Sequence, residues 1–438
     1  MTDRRVLRLG RRTTSAGTTK SPTKGVLTSW AYTGIDWASD HHDLAVVDDD
    51  GQVVARGRVG NDAAGFAQAL TLLAQAGDSA EHPIPVGIET DRGLWVAALR
   101  ETGRVIYPIN PLAASRYRAR YALSGAKSDA TDAVLLANIV RTDRDAHRPL
   151  PADTNLAQAI QVLARAQQDA VWGRQQIGNQ IRDLLKNFYP AALVAFAELP
   201  AGGLARADAR AILAAAPTPA QAAKLTPARL RRLLVKAGRR RDLDRDVERL
   251  HAVFTDTYLH QPAVVENAMG IQLGALLRQF EAACAAADEL AEAAIDHFEQ
   301  HPDAAIIVSF PGLGNLAGAR VLAEIGDDRS RFADARGLKA FAGSAPITRA
   351  SGKKTVVTHR HIKNRRLAAV GAIWALGSLR ASSGARRHFD ARRAAGDWNR
   401  QAQRHLFNKF LGQLHHCLQT GQPYNEHRAF QPPPLRAA

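Results

Sequence analysis

Cysteine is almost absent from this chain, which has only Cys284 and Cys417. Two isolated thiols exclude a disulfide framework and a Cys-based zinc site. Long apolar runs are missing as well. None approaches the roughly 18 residues that cross a bilayer, and no amphipathic or apolar anchor suits the chain to an anionic membrane surface. Residues 1–28 carry Arg4, Arg5, Arg8, Arg11, Arg12, Lys20 and Lys24 among Ser, Thr and Gly. They lack the apolar middle of a signal peptide and read as a disordered basic arm. These absences predict a cytoplasmic protein with no membrane partner. Aromatics are sparse at 6% and scattered, with no stripe for stacking bases, so any RNA would be recognised by shape and backbone.

Acid is scarce beside base. Lys and Arg number 58 against 42 Asp and Glu, a net charge of +16 over 438 residues. A surplus of that size favours a polyanionic partner, because each phosphate neutralised releases condensed counterions. The length allows two or three domains, each with its own core.

From about residue 29 to 150 the periodicity is that of an α/β domain. Tyr32–Trp37, Asp43–Val47 and Val53–Val59 alternate as three strands, with the turn Asp48-Asp49-Asp50-Gly51 between the last two. A helix Ala63–Gln75, a strand Pro85–Glu89, a helix Leu94–Glu101, a strand Val105–Ile109 and helices on either side of Lys127 follow. Three antiparallel strands and then alternating helices and strands is the element order of a ribonuclease-H-like sheet. Residues 151–300 form a helical middle, with long helices at 155–189 and 265–300. In the second, Leu273, Leu277, Phe280, Cys284, Ala287, Ala291, Ala294 and Phe298 make a heptad seam. It serves either an internal helical hairpin with the first stretch or an intermolecular coiled coil. Arg229–Arg249 places nine basic residues on an expected helix, while Pro200–Pro227 reads as an interruption or linker. A mainly α domain spans 301–395. Its Pro311-Gly312-Leu313-Gly314 has the form of a helix-hairpin-helix turn whose glycines let backbone N–H groups approach a phosphate. Residues 396–438 read as a polar tail.

Several acids sit where apolar residues are expected. Asp36 follows Gly34-Ile35 in an apolar strand, and Glu89 ends the apolar run Val86-Gly87-Ile88. A carboxylate in such a place costs several kcal/mol unless it is paired or holds a cation. Asp129 and Asp132 are three apart at a helix start and project from one face. Taken singly, these are a helix cap, a dipole partner and polar strand ends. Together they offer four hard oxygen donors suited to Mg²⁺ or Mn²⁺, and two such ions can activate an attacking oxygen and stabilise a leaving one.

With these residues in view, Thr33 to about Pro149 resembles the RuvC-like, DEDD-type transposases of the bridge-RNA insertion-sequence family. The likeness rests on Gly34-Ile35-Asp36, Glu89-Thr90 before Gly93-Leu94-Trp95, Val105-Ile106-Tyr107-Pro108-Ile109-Asn110-Pro111, and Lys127-Ser128-Asp129 with Asp132-Ala133. Ser128 replaces the family's usual Thr, and Asp91 lengthens the loop after Glu89. The resemblance implies that Asp36, Glu89, Asp129 and Asp132 are catalytic metal ligands.

A second stretch, Ser309–Leu379, resembles the family's C-terminal transposase domain through Phe310-Pro311-Gly312-Leu313-Gly314, Phe341-Ala342-Gly343, Ser351-Gly352-Lys353-Lys354 and Lys363-Asn364-Arg365-Arg366-Leu367. There the serine of the Ser-Gly pair joins covalently to DNA, so the resemblance gives Ser351 the nucleophile's role, with Ser344 its nearest rival. Arg349, Lys353, Lys354, Arg360, Lys363, Arg365 and Arg366 surround Ser351 without an intervening acid. Such a field would hold a scissile phosphate. His359 and His361 flank Arg360, where phosphate contact or plain exposure fits better than metal ligation. The resemblance further implies donor and target DNA and a guiding bridge RNA. The setting is expected to be bacterial and nucleoid-associated. Because some 200 residues of mostly helical chain separate Ser351 from the acids, a composite site is expected in a homodimer or homotetramer, with the seam at Leu273–Phe298 joining subunits.

Three other classes compete. A Holliday-junction-type nuclease would use metal-activated water and no serine. A sugar-kinase or actin-like ATPase would need a second phosphate loop and an adenosine-binding glycine pair, and neither is found. In an architectural DNA- or RNA-binding protein the four acids would repel the phosphates that the basic surplus attracts. The expectation is therefore a transposase or site-specific recombinase.

Overall fold

A computed structural model describes residues 30–121, 129–196, 203–352 and 354–430, and of residues 121, 129 and 130 the backbone alone. The basic arm, Lys127, Ser128, Lys353 and the proline-rich end lie outside the described residues. Two compact units divide between Leu150 and Pro151.

In the first unit the period-two alternation produces β1 (Tyr32–Trp37), β2 (His41–Val47) and β3 (Val53–Gly60), paired antiparallel in sequence. The acidic turn closes because Asp48 Oδ1 accepts from the amides of Asp50 and Gln52 at 3.0 and 2.8 Å. Helix α1 (Ala63–Gln75) starts at Asp62, whose carboxylate accepts from the Gly65 amide at 2.7 Å. Then β4 (Val86–Ile88), α2 (Leu94–Glu101) and β5 (Ile106–Pro108) extend the sheet in parallel, giving the order β3-β2-β1-β4-β5. Helices α3 (Pro111–Tyr121) and α4 (Asp129–Asp143) complete the unit.

The sheet is covered on both faces. Ile35, Leu44, Val59, Val86, Ile88 and Ile106 pack with Ala69, Trp95, Val96 and Leu99 of α1 and α2. On the other face Tyr32 and Val47 meet Ala137 and Val140 of α4. Each fully buried aliphatic contributes about 1.5–3 kcal/mol. Strands buried on both faces read as nearly continuous apolar runs, so an acid within one stands out in sequence.

Among its described residues the second unit is helical except for one hairpin. Its spine is α5 (Asn155–Phe188), followed by α6 (Pro190–Phe196), α7 (Ala207–Ala215), α8 (Pro219–Ala222), α9 (Pro227–Lys236) and α10 (Leu243–Thr255). The return helix is α11 (Ala263–Glu299). It runs antiparallel to α5: Gln167 Nε2 reaches the Ala287 carbonyl, Gly178 faces Phe280, and Ile160 shares a core with Phe298.

The heptad seam is therefore spent inside the chain. Leu273, Leu277, Phe280, Cys284, Ala287, Ala294 and Phe298 are all buried, which corrects the expectation that this seam joins two subunits. An apolar stripe records burial, and an antiparallel neighbour in the same chain satisfies it as well as a second chain. Two further expectations fail nearby. Residues within the expected linker 200–227 fold as α7 and α8, with Ala209, Ile212 and Leu213 fully buried. The single basic helix at 229–249 is two helices, broken at Gly238–Asp242, where Asp242 takes a left-handed φ of 54°.

The chain continues with α12 (Ala304–Val308), α13 (Asn315–Ile325), α14 (Ala335–Phe341), the hairpin β6 (Ile347–Ser351) and β7 (Lys354–Thr358), α15 (Arg365–Ala381), α16 (Ser383–Ala394), α17 (Asn399–Thr420) and α18 (Glu426–Phe430). Residues 399–420 are not tail: Leu406, Phe407, Phe410, Leu411 and Leu414 of α17 lie in the core with Phe310 and Trp374. Their three-and-four spacing is embedded in Arg, Gln, His and Asn, which dilutes the apolar signal without removing it. One glycine of the turn at 311–314 has a packing use. A Cβ on Gly312, at φ +83°, would meet the Ser378 amide nitrogen at 2.4 Å, so that glycine admits the backbone of α15.

Candidate functional site

The placement of α4 organises the acids of the first unit. A Cβ on Gly34 would lie 1.9 Å from the Ala133 carbonyl oxygen and 2.4 Å from the Ala137 nitrogen, and one on Gly87 would lie 2.9 Å from the Leu136 carbonyl oxygen. Helix α4 thus rests directly on the backbone of two adjacent parallel strands, and only glycine fits beneath it. Two residues further along each strand, on the same face, come Asp36 and Glu89. The β1–β4 register pairs Ile35 with Ile88. Asp36 is one position past Ile35 on β1, and Glu89 is the residue that follows Ile88 at the end of β4.

Helix α4 runs opposite to β1, since its later residues Ala137 and Val140 meet Tyr32 at the start of that strand. Two strand residues advance about 6.6 Å and four helix residues about 6 Å. The step from Gly34 to Asp36 therefore matches the step from Ala133 back to Asp129, the first residue of α4. Asp132 is buried, and its Oδ1 accepts from Arg118 Nη2 of α3 at 2.5 Å. The side chain of Asp129 lies outside the described residues. Among the described residues no group of three or more His, Cys, Asp and Glu side chains is gathered closely enough to hold a metal ion.

Two neighbours of this edge escaped the sequence reading. Asp43 stands directly opposite Asp36 on β2 and is buried. Arg58, its partner on β3, donates to both of its oxygens from Nε at 3.1 Å and Nη2 at 2.8 Å. Arg118 is the other. The cross-strand position of Asp43 was readable from the hairpin, but the guanidinium partners depend on register and helix packing.

In the second unit Ser351 is the last residue of β6 and is exposed. It pairs with Lys354 across a two-residue turn whose Gly352 has φ +55°, the left-handed conformation such hairpin turns require. Arg349, Ser351 and Lys354 share one face of this hairpin. Among the described residues no side chain hydrogen-bonds the Ser351 hydroxyl, whereas Ser344 is buried and donates to Asn408 Oδ1 at 2.9 Å. Ser344 therefore has a packing role.

The basic residues divide by use. Arg349, Lys354, Lys363 and Arg365 are exposed, and Arg360 is half-buried. Arg366 turns away: its Nη2 donates to both Asp169 oxygens at 2.8 and 2.9 Å, and its guanidinium lies over Trp172 at 5.0 Å. It belongs to the packing of α15 on α5, not to an open basic face. His359 and His361 are exposed with rings 4.1 Å apart. The His359 imidazole is held below its usual range first by His361, then by slight desolvation and by Arg404 and Lys363.

Comparison with known proteins sets the class. Residues 33–190 match a family described as Transposase, and residues 304–390 match the family Transposase IS116/IS110/IS902. The protein is a DNA transposase. A protein of Streptomyces coelicolor, named as the putative transposase of the mini-circle IS117, is 60% identical over 401 residues, covering 92% of this chain and 97% of that protein. The 44.8 kDa protein of insertion element IS116 from Streptomyces clavuligerus is 30% identical, covering 77% and 81%. The 42 kDa protein of IS900 from Mycobacterium paratuberculosis is 27% identical, covering 90% and 97%. This chain belongs to the IS116/IS110/IS902 transposase family. No helix among its described residues is long and apolar enough to cross a membrane.

Proposed function

We propose that this transposase cuts and rejoins the DNA of its insertion element through a covalent serine–DNA intermediate. In this reading Asp36, Glu89, Asp129 and Asp132 bind Mg²⁺ or Mn²⁺ on a ribonuclease-H-like, RuvC-like sheet. The observation that supports the proposal is the pairing of Ile35 with Ile88 on adjacent parallel strands, each followed directly by an acid, Asp36 and Glu89, with α4 resting on the glycines two residues before those acids. Two carboxylates at strand spacing repel unless a cation lies between or beside them. Their oxygens are hard donors, which suits these metals, and the Arg118 guanidinium on Asp132 marks a position that already takes a positive partner. Bound there, the metal would supply Lewis-acid stabilisation of charged phosphoryl oxygens.

The protein's own groups do the rest. Ser351 Oγ attacks the scissile phosphorus, forming an O–P bond as the bond to a sugar oxygen breaks. The serine proton passes to a base or solvent, and the departing sugar oxygen gains a proton to leave as a hydroxyl. Arg349 and Lys354, on the same hairpin face, offset the charge on the phosphate. The phosphoserine ester conserves the bond energy, and reversal of the step joins the serine-held end to a new hydroxyl.

Donor and target sites are selected in this proposal by a bridge RNA from the element's own noncoding DNA, and the protein works as a homodimer or homotetramer. The +16 charge supports a large polyanionic assembly. Neutralising about six phosphates would give a log–log salt slope of about −5. The deciding experiment incubates protein, Mg²⁺, element-end DNA and the transcribed flanking RNA, then digests the DNA and seeks phosphoserine at Ser351 by mass spectrometry. An adduct at Ser351 that requires the metal is the expected result. Cleavage without any adduct would instead mean a metal-dependent nuclease.

A further inference from the structure

A cavity of about 340 Å³ opens beside the hairpin, between the turn Ala342–Ser344, Lys363, and the α15 and α17 helices. Its charged lining is entirely cationic: Lys363 ahead of α15, with Arg400 and Arg404 from the first two turns of α17. Gln403 adds an amide, and Ala368, Gly371, Ala372 and Phe407 form an apolar wall.

These cations contrast with the chain's arginines that sit against acids. Arg104, Arg118, Arg165, Arg206 and Arg392 are each paired with a carboxylate. Among the described residues, no carboxylate is paired with Lys363, Arg400 or Arg404. Three like charges around one concavity repel each other, and the low-dielectric wall strengthens that repulsion. The direction of the His359 shift, with Arg404 and Lys363 among its causes, reports the same positive field. The walls are also built. Asn364, next to Lys363, caps α15 by accepting from the Leu367 amide at 2.8 Å, and it donates to the buried Glu324 at 2.6 Å. The other cavity of note, about 720 Å³ between α7 and α11, contrasts with it, because there Arg210 is already matched by Glu281.

The geometry points to a phosphodiester of a nucleic-acid strand as the occupant of this cavity, held by Lys363, Arg400 and Arg404. The inference rests on the reading of the neighbouring hairpin as the strand-transfer site. Ser344 and Lys363 of the lining lie three and five residues from the two ends of the hairpin, whose five-residue strands extend about 15 Å, so Ser351 is within reach of a strand anchored here. Arg400 and Arg404 thereby join the nucleic-acid surface, from a helix whose sequence gives no cue to that role.

The test uses the full-length protein and fluorescent probes of equal length, a DNA duplex and an RNA hairpin, titrated over a range of salt. For Arg400→Gln/Arg404→Gln the log–log salt slope should become shallower by about 1, the contribution of one duplex phosphate. Affinity should fall about tenfold. Arg400→Lys/Arg404→Lys should keep most of both. A matched pair on exposed faces of α5 and α11, Arg182→Gln/Arg278→Gln, should change neither. A loss confined to DNA names DNA as the source of the phosphate, a loss confined to RNA names RNA, and equal loss makes the site common to both. Slope and affinity equal to the matched pair's, in protein with an unchanged melting curve, would overturn the inference. The adduct assay is separate. A shallower slope together with an adduct that survives Ser351→Ala would remove the serine reading and leave the phosphate site standing.

Discussion

The two units place the residues proposed for the chemistry in opposite ways. In the sheet unit, Asp36 lies on β1 and Glu89 directly follows β4, strands that are buried on both faces under a helix that touches their backbone. In the helical unit, Ser351 lies on a two-stranded hairpin with a largely exposed surface. Donors that share a cation must hold their separation to within tenths of an ångström, which a packed sheet provides. A nucleophile that becomes esterified to a long polymer needs open access on all sides. In the proposed roles, one unit contributes rigidity and the other reach.

The largest effects break the chemistry of either side while leaving the fold alone. Asp36→Ala or Glu89→Ala should reduce DNA cleavage by about a thousandfold or more, with the melting curve and nucleic-acid affinity close to wild type. Cleavage that persists at normal rate with either variant would remove the acids from the mechanism. Ser351→Ala should abolish the adduct and recombination together, yet shift stability by less than about 0.5 kcal/mol, as expected for an exposed side chain.

A third variant tests the rigidity itself. Gly34→Ala places a methyl group against the Ala133 carbonyl, and overpacking of this kind costs about 3 kcal/mol. Calorimetry should show the sheet unit melting earlier while the helical unit is unchanged. An unshifted melting profile would mean that α4 moves aside freely and that the acids are not held rigidly. The smallest effect concerns the basic turn after α9. Arg239 is engaged with Asp246 and Asp208, so Arg240 and Arg241 carry the test. Arg240→Glu/Arg241→Glu should weaken binding uniformly across sequences and reduce the salt slope by about 1 for each phosphate that is no longer neutralised. A change in target choice without a change in slope would mean that they read bases.

Legibility followed the range of the information. The strands of the sheet unit and its helices Ala63–Gln75 and Leu94–Glu101 were readable because alternation and caps act over a few residues. Asp36 and Glu89 were conspicuous for the same reason, since each interrupts a local apolar pattern, and Asp129 and Asp132 stood out as a same-face pair at a helix start. The seam on α11 was equally plain, but its partner was not, since an apolar stripe does not say which surface will cover it. Helix α17 was missed because its core residues are spread among arginines, glutamines and histidines, and the hairpin at 347–358 lay within a stretch read for its charge.

By itself, then, the sequence determined the element order of the sheet, the four acids and the serine as candidates, and the excess of positive charge. Only the tertiary structure decided that the strands carrying Asp36 and leading into Glu89 lie side by side, that Arg118 meets Asp132, that Arg366 is withdrawn against Trp172, and that Arg400 and Arg404 reach the cavity beside Lys363. Periodicity is carried by residues a few bonds apart. The register of β1 against β4 spans about fifty residues of intervening chain, and it is set by the one arrangement that buries both faces of the sheet while admitting α4 over Gly34 and Gly87.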